Sequence, residues 1–187
     1  MGRVSQAQAQ ENRRRVVATA SRLFREQGTH VSVADLMKAA GLTHGGFHKQ
    51  FASKEALVDE ATAHAFDELE RHHRDGLDQH AGRRGAAQKA LIDTYLSVEH
   101  RDDPADGCPV AALAVDMARE PGAPQAHRVY AEGVREFARQ LATGDEDGTA
   151  RLCTMIGALV LARATKGSPL SEEILDAARA ALTAGDD

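Results

Sequence analysis

The spacing of apolar residues predicts helices along almost the whole chain. Between Gln8 and Gln27 the apolar side chains of Val16, Ala20 and Phe24 recur at helical intervals, and Gly28 follows as a helix stop. We find no stretch in which β-branched residues alternate with polar ones, which is the pattern of a half-buried strand. The pattern therefore predicts an all-α protein.

Two short helices follow the first one. Ser32 is placed to cap the segment VADLMKAA, which ends at Gly41, a residue that tolerates the positive φ of a tight turn. A third helix begins near Thr43. Two short helices joined by such a turn predict a helix-turn-helix, whose second helix enters the major groove of DNA.

Longer helices make up the rest of the chain. Ser53 caps a helix that continues to about Leu77, and Gly and Arg residues between Ala81 and Gly85 interrupt the pattern. The remaining predicted helices are Gln88–Glu99, Pro109–Arg119, Gln125–Leu141, Thr149–Ala164 and Ser171–Leu182, with Pro121 and Pro124 separating the second from the third. The segment RLCTMIGALVLARA is apolar on nearly every side, so we expect a partner subunit to cover it.

Charge is distributed unevenly between the two parts of the chain. The net charge of the 187 residues is −5, but residues 1–54 carry nine Lys and Arg against three acids. The head is therefore +6 and the remainder −11. A basic head on an acidic body can approach a phosphate backbone with one face. Solvated runs of charge alone do not explain this separation of positive from negative charge.

Composition indicates the cellular compartment in which we expect the protein. Cys108 and Cys153 have neither the spacing of a zinc site nor the number of a disulfide framework, so we expect a reducing, cytoplasmic protein. The first residues lack the apolar core of a signal peptide, and no run is long enough to span a bilayer. We expect no membrane association.

The segment from Thr29 to Glu60 resembles the DNA-binding domain of TetR/AcrR-family transcriptional regulators. The parts that carry the resemblance are Ala40-Gly41-Leu42, the variable segment 43–46, Phe47-His48-Lys49-Gln50-Phe51 and Lys54-Glu55-Ala56-Leu57. Two positions depart from the family pattern: His48 stands where a Tyr is usual and Gln50 where a His is usual. His48 can still donate to a phosphate, whereas Gln50 must pack through different hydrogen bonds.

The helix-turn-helix and the resemblance together indicate the residues that contact DNA. Thr43 can cap its helix or bind a phosphate, His44 and Lys49 face the groove if Leu42, Phe47 and Phe51 are buried, and the two glycines permit a close approach. The predicted DNA-binding residues are Ser32, Thr43, His44, Gly45, Gly46, His48, Lys49 and Lys54. Arg13, Arg14 and Arg15 either reach the flanking backbone or form a solvated basic turn.

The resemblance implies a homodimer that binds a palindromic DNA operator and responds to a small-molecule effector, as a repressor released by its effector. We therefore expect a helix-turn-helix domain over residues 1–52 and a larger helical effector-binding and dimerisation domain over residues 53–187. The expected dimer interface comprises Leu152, Ile156, Leu159, Val160, Ile174, Leu175, Ala178 and Leu182. The expected pocket, between the fifth and eighth helices, is lined by some of Tyr95, Leu96, Cys108, Leu113, Met117, Tyr130, Phe137 and Met155, all of which are also ordinary core residues.

Other constellations leave alternatives open. His64, Glu68 and His72 lie four residues apart, but a solvated polar stripe has the same pattern, and we predict neither a metal nor a cofactor. Cys108 is either a thiol that senses electrophiles or oxidants, as the resemblance suggests, or a small buried capping residue. No nucleophile with its base and no phosphate-binding glycine loop is evident, so we do not expect an enzyme. The alternative is a helical small-molecule-binding protein or enzyme with an incidental basic head.

Overall fold

The computed structural model describes residues 6–119, 124–144 and 148–184, and these form helices without any β-strand. This confirms the predicted all-α class. The helices are α1 (Gln6–Gln27), α2 (Val33–Ala39), a 3-10 helix (His44–Lys49), α3 (Lys54–Gln79), α4 (Arg84–Tyr95), α5 (Val98–Asp102), α6 (Pro109–Arg119), α7 (Pro124–Leu141), α8 (Thr149–Ala164) and α9 (Leu170–Thr183).

Local sequence signals set most of the helix ends. The Ser32 hydroxyl accepts a hydrogen bond from the Asp35 amide at 3.1 Å, and the Ser53 hydroxyl accepts one from the Ala56 amide at 3.2 Å. Gly28 and Gly41 adopt φ values of +88° and +68° immediately after α1 and α2. At both sites only glycine takes this conformation without strain, so the predicted stops are confirmed.

The predicted helix over residues 88–99 is wrong in its bounds. Helix α4 begins earlier, at Arg84, and ends at Tyr95, and α5 starts anew at Val98. The reason is Ser97, whose hydroxyl accepts a hydrogen bond from the His100 amide at 3.1 Å and so starts a new helix. The predicted break at residues 120–123 lies outside the described residues.

Two hydrophobic cores divide the molecule, and α3 belongs to both. The first core joins α1, α2 and the 3-10 helix to Leu57 and Ala61 of α3, and also to Leu113 and Met117 of α6. The second core lies among α3 to α9 and includes Phe66. The boundary expected at residues 52 and 53 therefore falls just before a helix that the two parts share.

Polar contacts fasten helix α1 to the body of the molecule. The buried Arg25 side chain donates to Glu68 of α3 at 2.9 Å and to the Gly107 carbonyl at 3.2 Å. The Thr29 amide donates to the Asp116 carboxylate of α6 at 3.1 Å. A movement of α3 or α6 would therefore also displace α1 or break these hydrogen bonds.

Candidate functional site

The 3-10 helix presents one polar surface to solvent. Phe47 is buried and stacks on Phe51 with a ring-centroid distance of 5.5 Å, so the apolar side of this segment is fixed against the first core. The opposite side exposes Thr43, His44, Gly45, His48 and Lys49. Five of the eight residues predicted to bind DNA are thus brought together on one accessible surface, which we call the recognition surface.

The two glycines give this segment its tight form but have different surroundings. Both are poor α-helix formers, and the Gly46 amide bonds to the Thr43 carbonyl at 2.9 Å in a 3-10 turn. A Cβ on Gly46 would lie 3.5 Å from the Met37 side chain, whereas a Cβ on Gly45 would meet nothing within 4 Å. Packing inside the chain does not require glycine at position 45.

The three other predicted DNA-binding residues flank the recognition surface. Ser32 is exposed but is already engaged as the cap of α2. Lys54 is half-buried at the first turn of α3, and Gly46 is half-buried against Met37. The hydroxyl of Thr43 makes no capping hydrogen bond, so of the two roles open to Thr43 the geometry favours contact with an external group.

Arg13 has a structural role that the sequence did not reveal. Its guanidinium donates to the Gln50 carbonyl and to Glu60 of α3, and it lies 4.3 Å from the centroid of the Phe51 ring. Arg13 therefore holds the end of the recognition segment against α3, whereas Arg14 and Arg15 are exposed. Among the described residues, the side-chain oxygen of Gln50 is buried with no hydrogen-bond partner, so the contact at Gln50 runs from Arg13 to its backbone carbonyl.

Comparison with known proteins agrees with this geometry. Residues 16–61 match the sequence model of bacterial regulatory proteins of the tetR family, over the segment that contains the recognition surface. Residues 16–61 are therefore similar to tetR-family regulators. The chain is also 31% identical over 101 residues to the HTH-type transcriptional repressor KstR2 of Mycobacterium tuberculosis. That match covers 54% of the chain, and the chain spans about half the length of the curated relative.

Solved structures share the fold over nearly the full length. A TetR transcriptional regulator from Chloroflexus aurantiacus has a TM-score of 0.72 at 24% identity and covers 96% of each chain. The reduced form of Escherichia coli NemR has a TM-score of 0.77 at 18% identity and covers 93% of this chain and 96% of that one. At these identities the likeness establishes the fold of this chain, from the helix-turn-helix through α9.

The body of the chain contains a cleft of about 920 Å³. Its walls come from the second half of α3, from α4, from the start of α6 and from the end of α7. The expected pocket left out the long helix α3, and this placement is corrected. Tyr95 and Cys108 are the two predicted pocket residues that line the cleft.

The other predicted pocket residues have different locations. Leu96, Phe137 and Met155 lie in the second core, and Leu113 and Met117 lie in the first. Tyr130 is half-buried, and its hydroxyl donates to the Val110 carbonyl at 2.7 Å. These six residues support the fold and are not part of the cleft wall.

His73 and His100 line the cleft, and neither was identified from sequence. The Cys108 amide donates to His100 Nε2 at 3.3 Å, while His100 Nδ1 lies 2.7 Å from the Tyr95 carbonyl, so the proton sits on Nδ1. Burial lowers the pKa of His73 to about 4, with His72 contributing, and burial also lowers the pKa of His100. Both imidazoles are neutral at neutral pH.

Cys108 is buried at the inner end of the cleft. Burial raises the pKa of its thiol, although the Val110 and Ala111 amides at the start of α6 face the sulfur and oppose the shift. The sulfur is therefore a protonated thiol at neutral pH, which is the less reactive form. This geometry favours the second alternative left by the sequence, a small residue at the start of a helix.

Most residues of the predicted dimer interface lie inside the chain itself. Leu152, Leu159, Leu175, Ala178 and Leu182 are all buried in the second core and leave little surface for another subunit. Ile156 and Ile174 are half-buried, and Val160 is 45% exposed. The predicted interface is corrected for those five residues, because α8 and α9 use them to pack on α4, α6 and α7.

A different side of α8 and α9 is apolar and accessible. Val160 and its neighbour Leu161 are 45% and 56% exposed, which is unusual for large apolar side chains of a folded chain. The surface consists of Cys153, Gly157, Val160, Leu161 and Ala164 of α8 with Ile174, Ala177 and Ala181 of α9. We call it the α8–α9 outer face.

The described residues contain neither a metal-binding cluster nor a membrane-spanning helix. Within residues 6–119, 124–144 and 148–184, no group of three or more His, Cys, Asp or Glu side chains is arranged to hold a metal ion. His64 lies 3.4 Å from Glu68, which pairs with Arg25. Across the same ranges, no helix is both long enough and apolar enough to cross a membrane.

Proposed function

We propose that the protein is a ligand-responsive transcriptional regulator that binds a palindromic operator as a homodimer and acts as a repressor. The observation that carries the proposal is the recognition surface, a solvent-exposed set of polar and basic side chains on the second element of a helix-turn-helix. Its location matches the family segment, and the repressor role follows the curated relative. As a DNA-binding regulator it would act in the cytoplasm and need no catalytic activity.

Different residues of the surface have different tasks in this proposal. His44 is exposed at the start of the 3-10 helix, where a side chain reaches base edges. Lys54 is at the first turn of α3, where its positive charge and the dipole of the helix N-terminus together favour a phosphate. The proposal therefore assigns sequence selection to His44 and sequence-independent affinity to Lys54.

Substituting these two residues should have distinct effects on DNA binding. The operator can be selected from random duplexes by the protein itself, and binding measured by fluorescence anisotropy at several salt concentrations. His44→Ala is expected to change which base is preferred at one position of each half-site. Lys54→Gln is expected to weaken all sequences alike and to reduce the slope of log K against log salt by about 2 per dimer, one contact per subunit.

The matched control is Lys89→Gln, which removes an exposed lysine of α4 that pairs with Asp93. It lowers the net charge equally and should leave both the preference and the slope unchanged. A uniform loss with His44→Ala would contradict readout by His44. Unaltered sequence-specific binding by the double variant Lys49→Glu, Lys54→Glu would contradict the proposed function and favour a small-molecule-binding protein.

We propose that the homodimer forms through the α8–α9 outer face. Covering Val160 and Leu161 removes apolar surface from water, and the small residues Gly157, Ala164 and Ala177 allow two helices to approach closely. A two-fold dimer presents two recognition surfaces, which suits an operator with half-sites about 34–36 Å apart.

The effector is proposed to occupy the cleft and to act by moving α3. This helix begins beside the recognition surface, and its second half forms a wall of the cleft. A shift of a few ångströms in the distance between the two recognition surfaces is sufficient to prevent simultaneous docking. The ligand can drive this shift only through its different affinities for the two states.

Cys108 provides a test of whether release is reversible. Because its thiol is buried and its pKa is raised, we expect N-ethylmaleimide to modify it at least about tenfold more slowly than a free exposed thiol. Cys108→Ser should retain release by a reversible effector, with recovery after dialysis. If a thiol-reactive electrophile released DNA from the wild type but not from Cys108→Ser, a covalent sensor would replace this mechanism.

A further inference from the structure

Two buried polar atoms, both on residues that line the cleft, lack a nitrogen or oxygen hydrogen-bond partner within the described part of the chain. They are Tyr95 Oη, on a side chain that is 95% buried, and His73 Nε2. The Cys108 thiol lies beside the tyrosine hydroxyl, but sulfur is only a weak acceptor. Since buried polar atoms in folded proteins are almost always satisfied, these two atoms point to a polar group supplied from outside.

Most charged groups of the cleft wall form ion pairs with an opposite charge. Arg25 pairs with Glu68, Arg74 pairs with Glu70 at 2.7 Å, and Arg139 pairs with Glu136 at 2.9 Å. Asp106 pairs with Arg22 at 2.6 Å. Arg84 is at the exposed rim and donates to the Arg139 carbonyl. A charged ligand would therefore have to break an ion pair or bind at the exposed rim beside Arg84, and an uncharged one would do neither.

The inner wall combines aromatic rings with apolar side chains. Phe137 packs behind this wall, 4.6 Å from His73 and 6.0 Å from Tyr95 by ring centroids, and Tyr95 lies 4.6 Å from His100. The rest of the lining includes Leu69, Leu77, Ala87, Ala90, Leu91 and Pro109. Rings and leucines favour a flat apolar ligand, which can pack on the exposed edges or faces of the rings.

We propose that the cleft binds an uncharged, flat aromatic compound with oxygen atoms at two separated positions, one bonded to Tyr95 and the other to His73. This inference rests on the proposed function, in which the compound is the effector. The neutral phenol and the neutral imidazole can each donate or accept a hydrogen bond, so hydroxyl and carbonyl oxygens both fit. Burial raises the pKa of Tyr95 well above its usual value and lowers that of His73, which keeps both groups uncharged at neutral pH.

The experiment compares three probes of the same shape on the DNA-free protein. They are 2,6-dihydroxynaphthalene, 2,6-dimethylnaphthalene and naphthalene-2,6-dicarboxylate, titrated by calorimetry or by probe fluorescence at pH 7. The diol is expected to bind at least about tenfold more tightly than the dicarboxylate. Tyr95→Phe and His73→Phe should each weaken the diol by about 2- to 12-fold, the net worth of one hydrogen bond, and leave the dimethyl compound unchanged or tighter.

Tyr130→Phe is the matched control, because it removes a hydroxyl that bonds to the Val110 carbonyl outside the cleft wall. Its affinity for the diol should equal that of the wild type, and circular dichroism should show that all three variants are folded. The inference is overturned if the diol does not bind, if the dicarboxylate binds as tightly, or if neither cleft variant affects the diol. The titrations contain no DNA, so they test ligand binding separately from the proposed function. If the protein binds the diol but binds no operator, only the proposed function is contradicted.

Discussion

Replacing Val160 and Leu161 with glutamate is expected to separate the proposed dimer into monomers and to weaken binding to a palindromic duplex by ~10²- to 10⁴-fold. Both side chains are about half exposed in the single chain, so the substitutions leave its own core intact. Two charges per subunit would have to be buried without partners at the interface, which opposes association. The loss of DNA affinity follows because a monomer engages one half-site and forfeits the effective concentration of the second head.

Sedimentation velocity measures the mass, and alkylation of Cys153 reports on the interface directly. Cys153 is exposed on the α8–α9 outer face of the single chain, so the dimer should protect it and the variant should not. Val115→Glu is the matched control, because Val115 is 55% exposed on α6, away from that face. A variant that sediments as a dimer with protected Cys153 would rule the face out. Leu159→Glu is not a useful test, since Leu159 is fully buried in the second core and its loss would unfold the chain.

Replacing Arg25 with methionine is expected to uncouple the cleft from DNA. Arg25 belongs to α1 of the helix-turn-helix domain, but its side chain lines the cleft and donates to Glu68 of α3 and to the Gly107 carbonyl before α6. Coupling between two sites in allosteric proteins amounts to about 5- to 150-fold in affinity. We expect this ratio to fall to about 2-fold or less in the variant, while the effector still binds.

Calorimetry of the effector with free protein and with the protein–operator complex gives the ratio of the two affinities. Arg22→Met is the control, because Arg22 forms an exposed ion pair with Asp106 and does not line the cleft. It should retain the coupling of the wild type. If Arg25→Met kept the wild-type ratio of the two effector affinities, the coupling between cleft and DNA would have to pass through α3 without this side chain. If the wild type itself gave equal affinities, the proposed switch would be wrong.

Sequence reasoning located the recognition surface because its causes are local. Phe47 and Phe51 are four residues apart and therefore share the buried side of the segment, which leaves His44, His48 and Lys49 outside. The caps Ser32 and Ser53 act within three residues of themselves. Each of these contacts is determined by spacing along the chain.

The cleft and the outer face could not be located in the same way. Helix α8 is apolar on nearly every side, so its sequence indicates that every side is covered. The sequence does not indicate which sides pack against other helices of the same chain and which side is left for a partner subunit. Packing on α9 and the neighbouring helices buries Leu159 and leaves Val160 exposed, although the two are adjacent in sequence. Likewise, Tyr95 and Phe137 are both aromatic and apolar, but only Tyr95 borders open space.

The sequence by itself determined the all-helical class, the helix-turn-helix, most of the helix ends and the residues of the recognition surface. Periodicity, capping and glycine geometry are properties of a few consecutive residues and can be deduced without knowing how the helices pack. The tertiary structure decided which side of α8 remains free, where the cleft opens and which partners Arg13 and Arg25 select. Those partners lie 37 to 82 residues away in the chain, and only the packing of helices against one another brings such distant groups within hydrogen-bond distance.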